Sequence, residues 1–405
     1  MRINLERMRD SMLAMARIGA TEAGGVTRLA LTDEDKAARS LLGEWMAAAG
    51  LEVRVDDVGN MYGWRPGEAA GQPPILMGSH LDSVRQGGKF DGVLGVLAGL
   101  EVLRSMQDAG VKTRRGVGLV NWTAEEGSRF EPSILGSAGI TGKYDIDFIH
   151  DLRDDDGKRF GDELQRIGYA GSRGNRPGEL RAYLEMHIEQ GPVLEQEGIQ
   201  FGVVTGISGL AWSEVVLRGQ ADHAGPTPMR SRRDALMGAS RALLAVRQIA
   251  LDTEDSVVTV GRLQVEPNII NVIPDRVRFG LDFRHPDLGV LQSRLEEMRQ
   301  AIVGIAEEER LGLEFHTHAL NDPVAFNAEV VSTVEQAAKD EGITHRRLAS
   351  GAGHDAQFMD RTTPTAMLFV PCKDGKSHCE EEEASFADIE AATNVLARAV
   401  LALAE

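Results

Sequence analysis

Cysteine is scarce in this chain of 405 residues: Cys372 and Cys379 are its only two. A disulfide framework therefore does not hold the fold together, and a reducing cytoplasm is the compartment expected. Cations are also in deficit, with 44 Lys and Arg against 62 Asp and Glu, a formal net charge of −18. A surface of that sign repels polyanions, which excludes nucleic acid as a partner. Long apolar runs are missing as well. Residues 1–20 interleave Arg2, Glu6, Arg7, Arg9 and Asp10 with Leu5, Met8, Met12 and Leu13, a helical period and not the continuous core of a signal peptide. No stretch has the length and apolarity of a membrane span. Repeats and low-complexity tracts are likewise absent.

The length exceeds what one ordinary core supports, at about 100–200 residues per domain, so two domains are expected. With 42% hydrophobic and 26% charged residues, the composition is that of a globular protein.

Thr32-Asp33-Glu34-Asp35 is a helix start with an acidic third position, followed by Ala37, Leu41, Leu42, Trp45 and Met46 on one face. Gly50 ends that helix, and 51–55 alternates as a strand. A buried strand at 74–80 leads through a glycine-rich turn into an apolar helix at 93–106, then a further strand at 116–122. This rhythm predicts an α/β sheet with helices on both faces, whose functional residues gather beyond the carboxyl ends of its strands. From 211 the pattern changes to a strand (211–218), a helix (233–250), two strands (256–265 and 276–283), a helix (288–309) and a strand (312–318). That is a smaller α+β sandwich unit over 211–325, inserted into a larger domain formed by 1–210 and 326–405. The chain then returns to buried helices and strands, including 366–370, and closes with a helix opened by Ser385.

His80 and Asp82 stand two apart at a strand end, so they project to one side. A carboxylate there can accept the second imidazole N–H and fix its tautomer, as beside many metal-bound histidines, although a cap or surface turn has the same spelling. Asp91 sits in the turn Gly87-Gly88-Lys89-Phe90-Asp91-Gly92, whose glycines permit unusual backbone angles. Glu125 and Glu126 end a buried strand as adjacent carboxylates. One of such a pair can ligate a metal while the other serves as a base, and an acidic helix start is the plainer alternative. His187 and His378 each lie near a strand end, where a lone histidine is more often a structural hydrogen-bonder.

Together these residues match a known pattern. The ordered set His80-x-Asp82, Asp91, Glu125-Glu126, His187 and His378, interrupted by a small inserted domain, resembles the dinuclear metallo-aminoacylase and carboxypeptidase superfamily. The strings Gly78-Ser79-His80-Leu81-Asp82-Ser83-Val84, Gly87-Gly88-Lys89-Phe90-Asp91-Gly92, Glu125-Glu126-Gly127-Ser128-Arg129-Phe130, His187-Ile188-Glu189-Gln190-Gly191-Pro192 and Ser350-Gly351-Ala352-Gly353-His354-Asp355-Ala356 are similar to its amidase and carbamoylase branch. That branch contains N-carbamoyl-L-amino-acid hydrolases, allantoate amidohydrolases and β-ureidopropionases.

The resemblance implies two divalent metal ions per subunit, Zn²⁺, Mn²⁺ or Co²⁺. His80 and His187 would hold one, Glu126 and His378 the other, and Asp91 would bridge them. Asp82 would orient His80, and Glu125 would be the general base for a water between the metals. It further implies a lid and dimerisation role for the inserted unit, a homodimer, and His223 as a transition-state stabiliser entering the neighbouring subunit's site. Asn271 and Arg284 would bind substrate, Arg284 through its carboxylate, with Gln190 and the backbone of Gly351 and Gly353 as further contacts. The activity implied is hydrolysis of a linear amide in N-carbamoyl-L-amino acids, small ureido acids. Allantoate or a β-ureido acid is the alternative, then an acylated amino acid or dipeptide, and lastly a non-catalytic binding protein on this scaffold. Two positions depart from the family pattern, Asp222 where asparagine is usual and Glu380 or Glu381 where proline is. The run 380–383 is expected to be a solvated approach to the last helix, and Cys379 a packed thiol.

Overall fold

The computed structural model describes residues 1–405. Contacts divide the chain into two compact units, Met1–Gly206 with Phe326–Glu405, and Ile207–Ala325. In chain order the strands are β1 (Glu52–Val55), β2 (Met61–Arg65), β3 (Ile75–His80), β4 (Val117–Trp122), β5 (Ala182–Ile188), β6 (Phe201–Ile207), β7 (Gly209–Arg218), β8 (Val257–Glu266), β9 (Arg276–His285), β10 (Gly312–Asn321), β11 (Val324–Ala325), β12 (His345–Ser350) and β13 (Thr365–Val370). No helix is long and apolar enough to cross a membrane.

The large sheet runs β1-β2-β4-β3-β5-β13-β6-β11, with β12 also paired to β6. At its centre β4, β3, β5 and β13 are mutually parallel. Their side chains are buried throughout, as expected of parallel strands covered on both faces. Parallel alignment brings four carboxyl ends to one edge of the sheet. In register, His80 lies opposite Trp122, and His187 opposite Phe369.

Helix Val93–Asp108 packs almost wholly buried against this sheet and starts directly after Asp91 and Gly92. Helix Asp33–Ala48 begins at the Thr32 cap, whose side chain accepts the Asp35 N–H. The Asp35 carboxylate accepts the Leu31 N–H and pairs with Arg39, both side chains fully buried. β2, buried at Met61, Tyr62 and Gly63, has no counterpart in the sequence reading.

The inserted unit is an antiparallel sheet of order β10-β7-β9-β8 with helices Ala235–Leu251 and Leu288–Glu308. Along β9 burial alternates: Val277, Phe279, Leu281 and Phe283 enter the core with Leu291, Met298 and Ile302 of the second helix. The intervening residues, Asp282 and Arg284 among them, therefore lie on the other face of the strand.

Candidate active site

The site grows from the four parallel strand ends. His80 closes β3 and is 1% exposed; its Nδ1 lies 2.9 Å from the Asp82 carbonyl. His187, also 1% exposed, places Nδ1 2.9 Å from the Ile188 carbonyl. A carbonyl only accepts, so each ring donates from Nδ1 and keeps the Nε2 lone pair for the site. Arg28, buried, fixes the segment after β3 by donating to the Leu81 carbonyl at 2.6 Å.

Asp82 departs from its expected role. Its carboxylate is 3.7 Å from His80 Nδ1, beyond hydrogen-bonding reach, and its backbone carbonyl is what holds the ring. The carboxylate instead accepts the N–H groups of Glu125 and Glu126, each at 3.2 Å. Asp82 therefore orients the acidic pair directly and His80 through its main chain.

Asp91 lies at the middle. Its Oδ1 is 3.1 Å from His187 Nε2 and 3.7 Å from His80 Nε2, while its Oδ2 is 3.3 Å from His378 Nε2. His378 Nε2 is equally 3.3 Å from Glu126 Oε2. The result is two groups whose side chains could hold a metal ion, His80, Asp91 and His187 in one and Asp91, Glu126 and His378 in the other. In each, the ligand atoms lie within 4.8 Å of one another, and Asp91 belongs to both. Glu125 is in neither; its Oε2 is 3.6 Å from His80 Nε2.

Backbone constraint is concentrated here. Gly92 has φ +65°, and a Cβ at that position would lie 2.4 Å from the His80 ring, so only glycine lets Asp91 sit this close. Ala124, Gln190 and His378 all adopt left-handed φ between 56° and 57°, which costs non-glycine residues on the order of 1–3 kcal/mol each.

Electrostatics test the donor set for a cation. Burial pushes Glu125 well above the ordinary carboxylate range, reinforced by Asp355, Glu126, Asp82 and Asp91. Burial and Asp91 do the same to Glu126. Burial also opposes ionisation of Asp91, but the His187 hydrogen bond and the neighbouring imidazoles outweigh it and hold that carboxyl low. Burial alone would lower His187, yet Asp91 raises it to about 9, whereas His80 falls to about 4 through burial. With Nδ1 turned to the Ile188 carbonyl, Nε2 is the His187 atom that faces Asp91, and a cation held there would displace the proton that Asp91 favours on it. Such an excess of buried carboxylate, beside imidazoles presenting Nε2, is a fit for divalent cations, which displace protons from these groups on binding.

Gln190 lies against the same cluster, its Nε2 donating to Asp91 Oδ2 at 2.9 Å and to Ser377 Oγ at 3.1 Å. Gly351 and Gly353 are exposed in the loop after β12. That loop is tied to the site by buried His354, whose ring centroid is 4.5 Å from that of His187. Sequence reasoning gave His354 no role, nor did it find Ser377 or Glu382. The 380–383 run is not uniformly solvated: Glu381 and Glu383 are exposed, but Glu382 is 1% exposed and bonded to the Asp91 turn. Neighbouring Cys379 is a half-buried free thiol.

Within the inserted unit, His223 and Asn271 belong to paired segments, joined by the Ala224 N–H to the Asn271 carbonyl at 2.9 Å. His223 is exposed, and its Nδ1 accepts the Gly225 N–H at 3.0 Å, which puts the ring proton on Nε2. Arg284 is held by Asp282 in a bidentate pair of 3.0 and 2.8 Å.

Residues 76–402 match peptidase family M20/M25/M40. The chain belongs to that family. It is 43% identical to an N-carbamoyl-L-amino-acid amidohydrolase of Rhizobium meliloti, covering 100% of this chain and 97% of the relative. It is 34% identical to the allantoate amidohydrolase of Escherichia coli K12, covering 98% of each. A solved amidase of the hydantoinase/carbamoylase family from Burkholderia multivorans superposes with a TM-score of 0.97, at 47% identity, over 100% of this chain and 98% of that one. The α/β catalytic fold with a second small sheet is thus that of the M20 amidases. The protein is an amidohydrolase, and its reaction is metal-dependent amide hydrolysis.

Proposed function

We propose that this M20 amidohydrolase removes the carbamoyl group of N-carbamoyl-L-amino acids. The observation that carries the chemistry is the Asp91 carboxylate, shared between His80 and His187 on one oxygen and His378 with Glu126 on the other. The relatives that match along nearly the full chain include N-carbamoyl-L-amino-acid amidohydrolases at 36–43% identity, which favours that substrate class. Full-length relatives named allantoate amidohydrolase, at 34–35%, support allantoate as the second reading.

The donor set suits two divalent ions, Zn²⁺, Mn²⁺ or Co²⁺, one at each group and Asp91 between them. When bound, such ions polarise a carbonyl oxygen and acidify water. The protein's own part falls to Glu125. Buried beside the cluster and outside both ligand groups, it takes the proton of the attacking water and passes it to the leaving nitrogen. Asp82 keeps Glu125 and Glu126 in register through their backbone N–H groups.

The inserted unit, 211–325 in function, serves as lid and dimerisation domain. In support, β8 is an edge strand exposed along most of its length, with Val257 and Leu263 outward, and Leu244 and Leu251 are exposed on the preceding helix. His223, with its Nε2 proton, stabilises the transition state in the neighbouring subunit's site. Asn271 and Arg284 are the substrate-binding candidates of the inserted unit, Arg284 for a carboxylate, and Gln190 with the backbone of Gly351 and Gly353 are those of the catalytic unit. Arg284 presents a planar fork suited to that task, already organised by Asp282.

The test is turnover of N-carbamoyl-L- and D-amino acids, allantoate, N-carbamoyl-β-alanine and N-acetyl amino acids, with Mn²⁺, Co²⁺ or Zn²⁺ supplied. The expected result is the highest kcat/KM on an N-carbamoyl-L-amino acid. Preference for allantoate would transfer the assignment to the second reading, and preference for an N-acetyl amino acid would overturn both.

A further inference from the structure

Glu382 is a carboxylate that the reaction does not consume, in a place where a carboxylate is costly. It is 1% exposed, while Glu381 and Glu383 on either side are exposed. Burial desolvates it, and Asp91 and Glu126 stand nearby with the same sign. Were the position occupied for packing alone, an apolar side chain would fill it without that penalty. Its contacts explain the exception. Oε1 accepts the backbone N–H of Phe90 at 2.9 Å and of Asp91 at 3.0 Å. Oε2 lies 3.1 Å from Ser377 Oγ, which is itself 3.0 Å from Asp91 Oδ2. Gln190 donates to both Asp91 Oδ2 and Ser377 Oγ. The turn closes on this carboxylate so tightly that a Cβ on Gly88 would stand 2.0 Å from Glu382 Cδ and 2.5 Å from its Cβ.

We propose that Glu382 is a positioning residue for the two-metal site: it grips the main chain on which Asp91 rides and, through Ser377, couples that turn to the loop carrying His378. Two of the ligands that close the second group, Asp91 and His378, thereby hang on one buried side chain. The inference rests on Asp91 being the shared ligand, as in the proposed function. A latch that merely held a loop closed would change stability and leave the metals alone. Positioning instead changes how tightly metal is held.

The experiment uses the full-length protein, stripped with chelator and titrated with Co²⁺, reading both affinity by calorimetry and the visible absorption of the bound ion. Three variants are compared. Glu382→Ala removes both acceptors, and Glu382→Asp keeps the charge but withdraws it by one methylene from the two N–H groups. Glu382→Gln retains an oxygen for Phe90 and Asp91. We expect Ala and Asp to weaken Co²⁺ binding about 10- to 100-fold, as loss of an outer partner of a metal ligand commonly does, with an altered spectrum. Gln should restore most of the affinity. Should Ala not fold, Asp and Gln decide the matter between them. Wild-type affinity and spectrum in Asp, or in Ala where it folds, would overturn the inference, whatever the melting temperatures. A wild-type protein that takes up only one Co²⁺ would remove the shared-ligand reading itself, a separate outcome visible in the same titration.

Discussion

Replacing Glu125 by Gln tests whether the proposed proton shuttle is separate from the proposed metal cage. The side chain is 7% exposed, and its Oε2 is 3.6 Å from His80 Nε2, so an amide of the same shape fits without new space. It belongs to neither candidate ligand group, hence both metals should stay. The backbone is held independently, by Asp82 on the Glu125 N–H and by the Ile134 N–H on the Glu125 carbonyl at 2.6 Å. What disappears is a basic oxygen. Loss of a general acid–base costs about 10²- to 10⁴-fold in rate, equivalent to roughly 2.7–5.5 kcal/mol in the barrier. Stability should move the other way in metal-free protein, because one of several mutually repelling buried carboxylates becomes neutral. The assay pairs kcat on an N-carbamoyl-L-amino acid with metal content and with the melting temperature after chelation. Turnover within about threefold of wild type would refute the assignment of Glu125. Loss of metal along with activity would refute its separation from the cage. Glu126→Gln is the contrast: its Oε2 is 3.3 Å from His378 Nε2, and metal binding itself should fall.

Gly92→Ala should destabilise the metal-free protein by about 2–5 kcal/mol, adding a left-handed penalty of roughly 1–2 to an overpacking cost of roughly 1–3. Chemical denaturation measures this, and a change under about 1 kcal/mol would contradict the close approach to His80. Arg284→Ala should lower kcat/KM for an N-carbamoyl amino acid roughly 10- to 100-fold, and much less for its neutral amide. Equal losses for both would place carboxylate recognition elsewhere. Mixing inactive Glu125→Gln with inactive His223→Ala subunits should restore some activity if neighbouring subunits share sites. No recovery after confirmed subunit exchange would mean that each site is complete within one chain.

The legible part of this protein is the part where local pattern and sheet geometry coincide. Buried runs at β3 and β4 end in His80 and in Glu125-Glu126, and parallel strands necessarily deliver such ends to one edge. The inserted unit was legible for the same reason: β9 alternates without interruption, and its helices carry clean apolar faces. β2 was not, because Gly59 and Asn60 before it and Gly63 within it are turn residues that mask so short an apolar run. Glu382 was not, because four consecutive glutamates look alike until the loop folds back and buries one of them against Phe90 and Asp91. Asp82 misled through its backbone: the i, i+2 spacing correctly put it near His80, but the carbonyl made the bond expected of the carboxylate.

The features of the site that go unread in sequence, Glu382 and the Asp82 main chain, share a physical cause. A site meant for cations must gather like charges and hold them at fixed distances before any cation arrives, and neither requirement is local. Glu125, Glu126 and Glu382 are all pushed toward protonation by burial and by neighbouring carboxylates, Asp91 among them in each case. Ala124, Gln190 and His378 are all bent into left-handed backbone beside them. Such costs persist only where the surroundings over-determine the geometry. Here the surroundings are four parallel strands, a buried helix starting at Val93, and backbone N–H groups pinned by Asp82 and Glu382. The candidate ligands announce themselves in sequence because chemistry restricts their type. The residues that hold them are chosen by which backbone groups the fold leaves within reach, so they become visible only once the strands are in register.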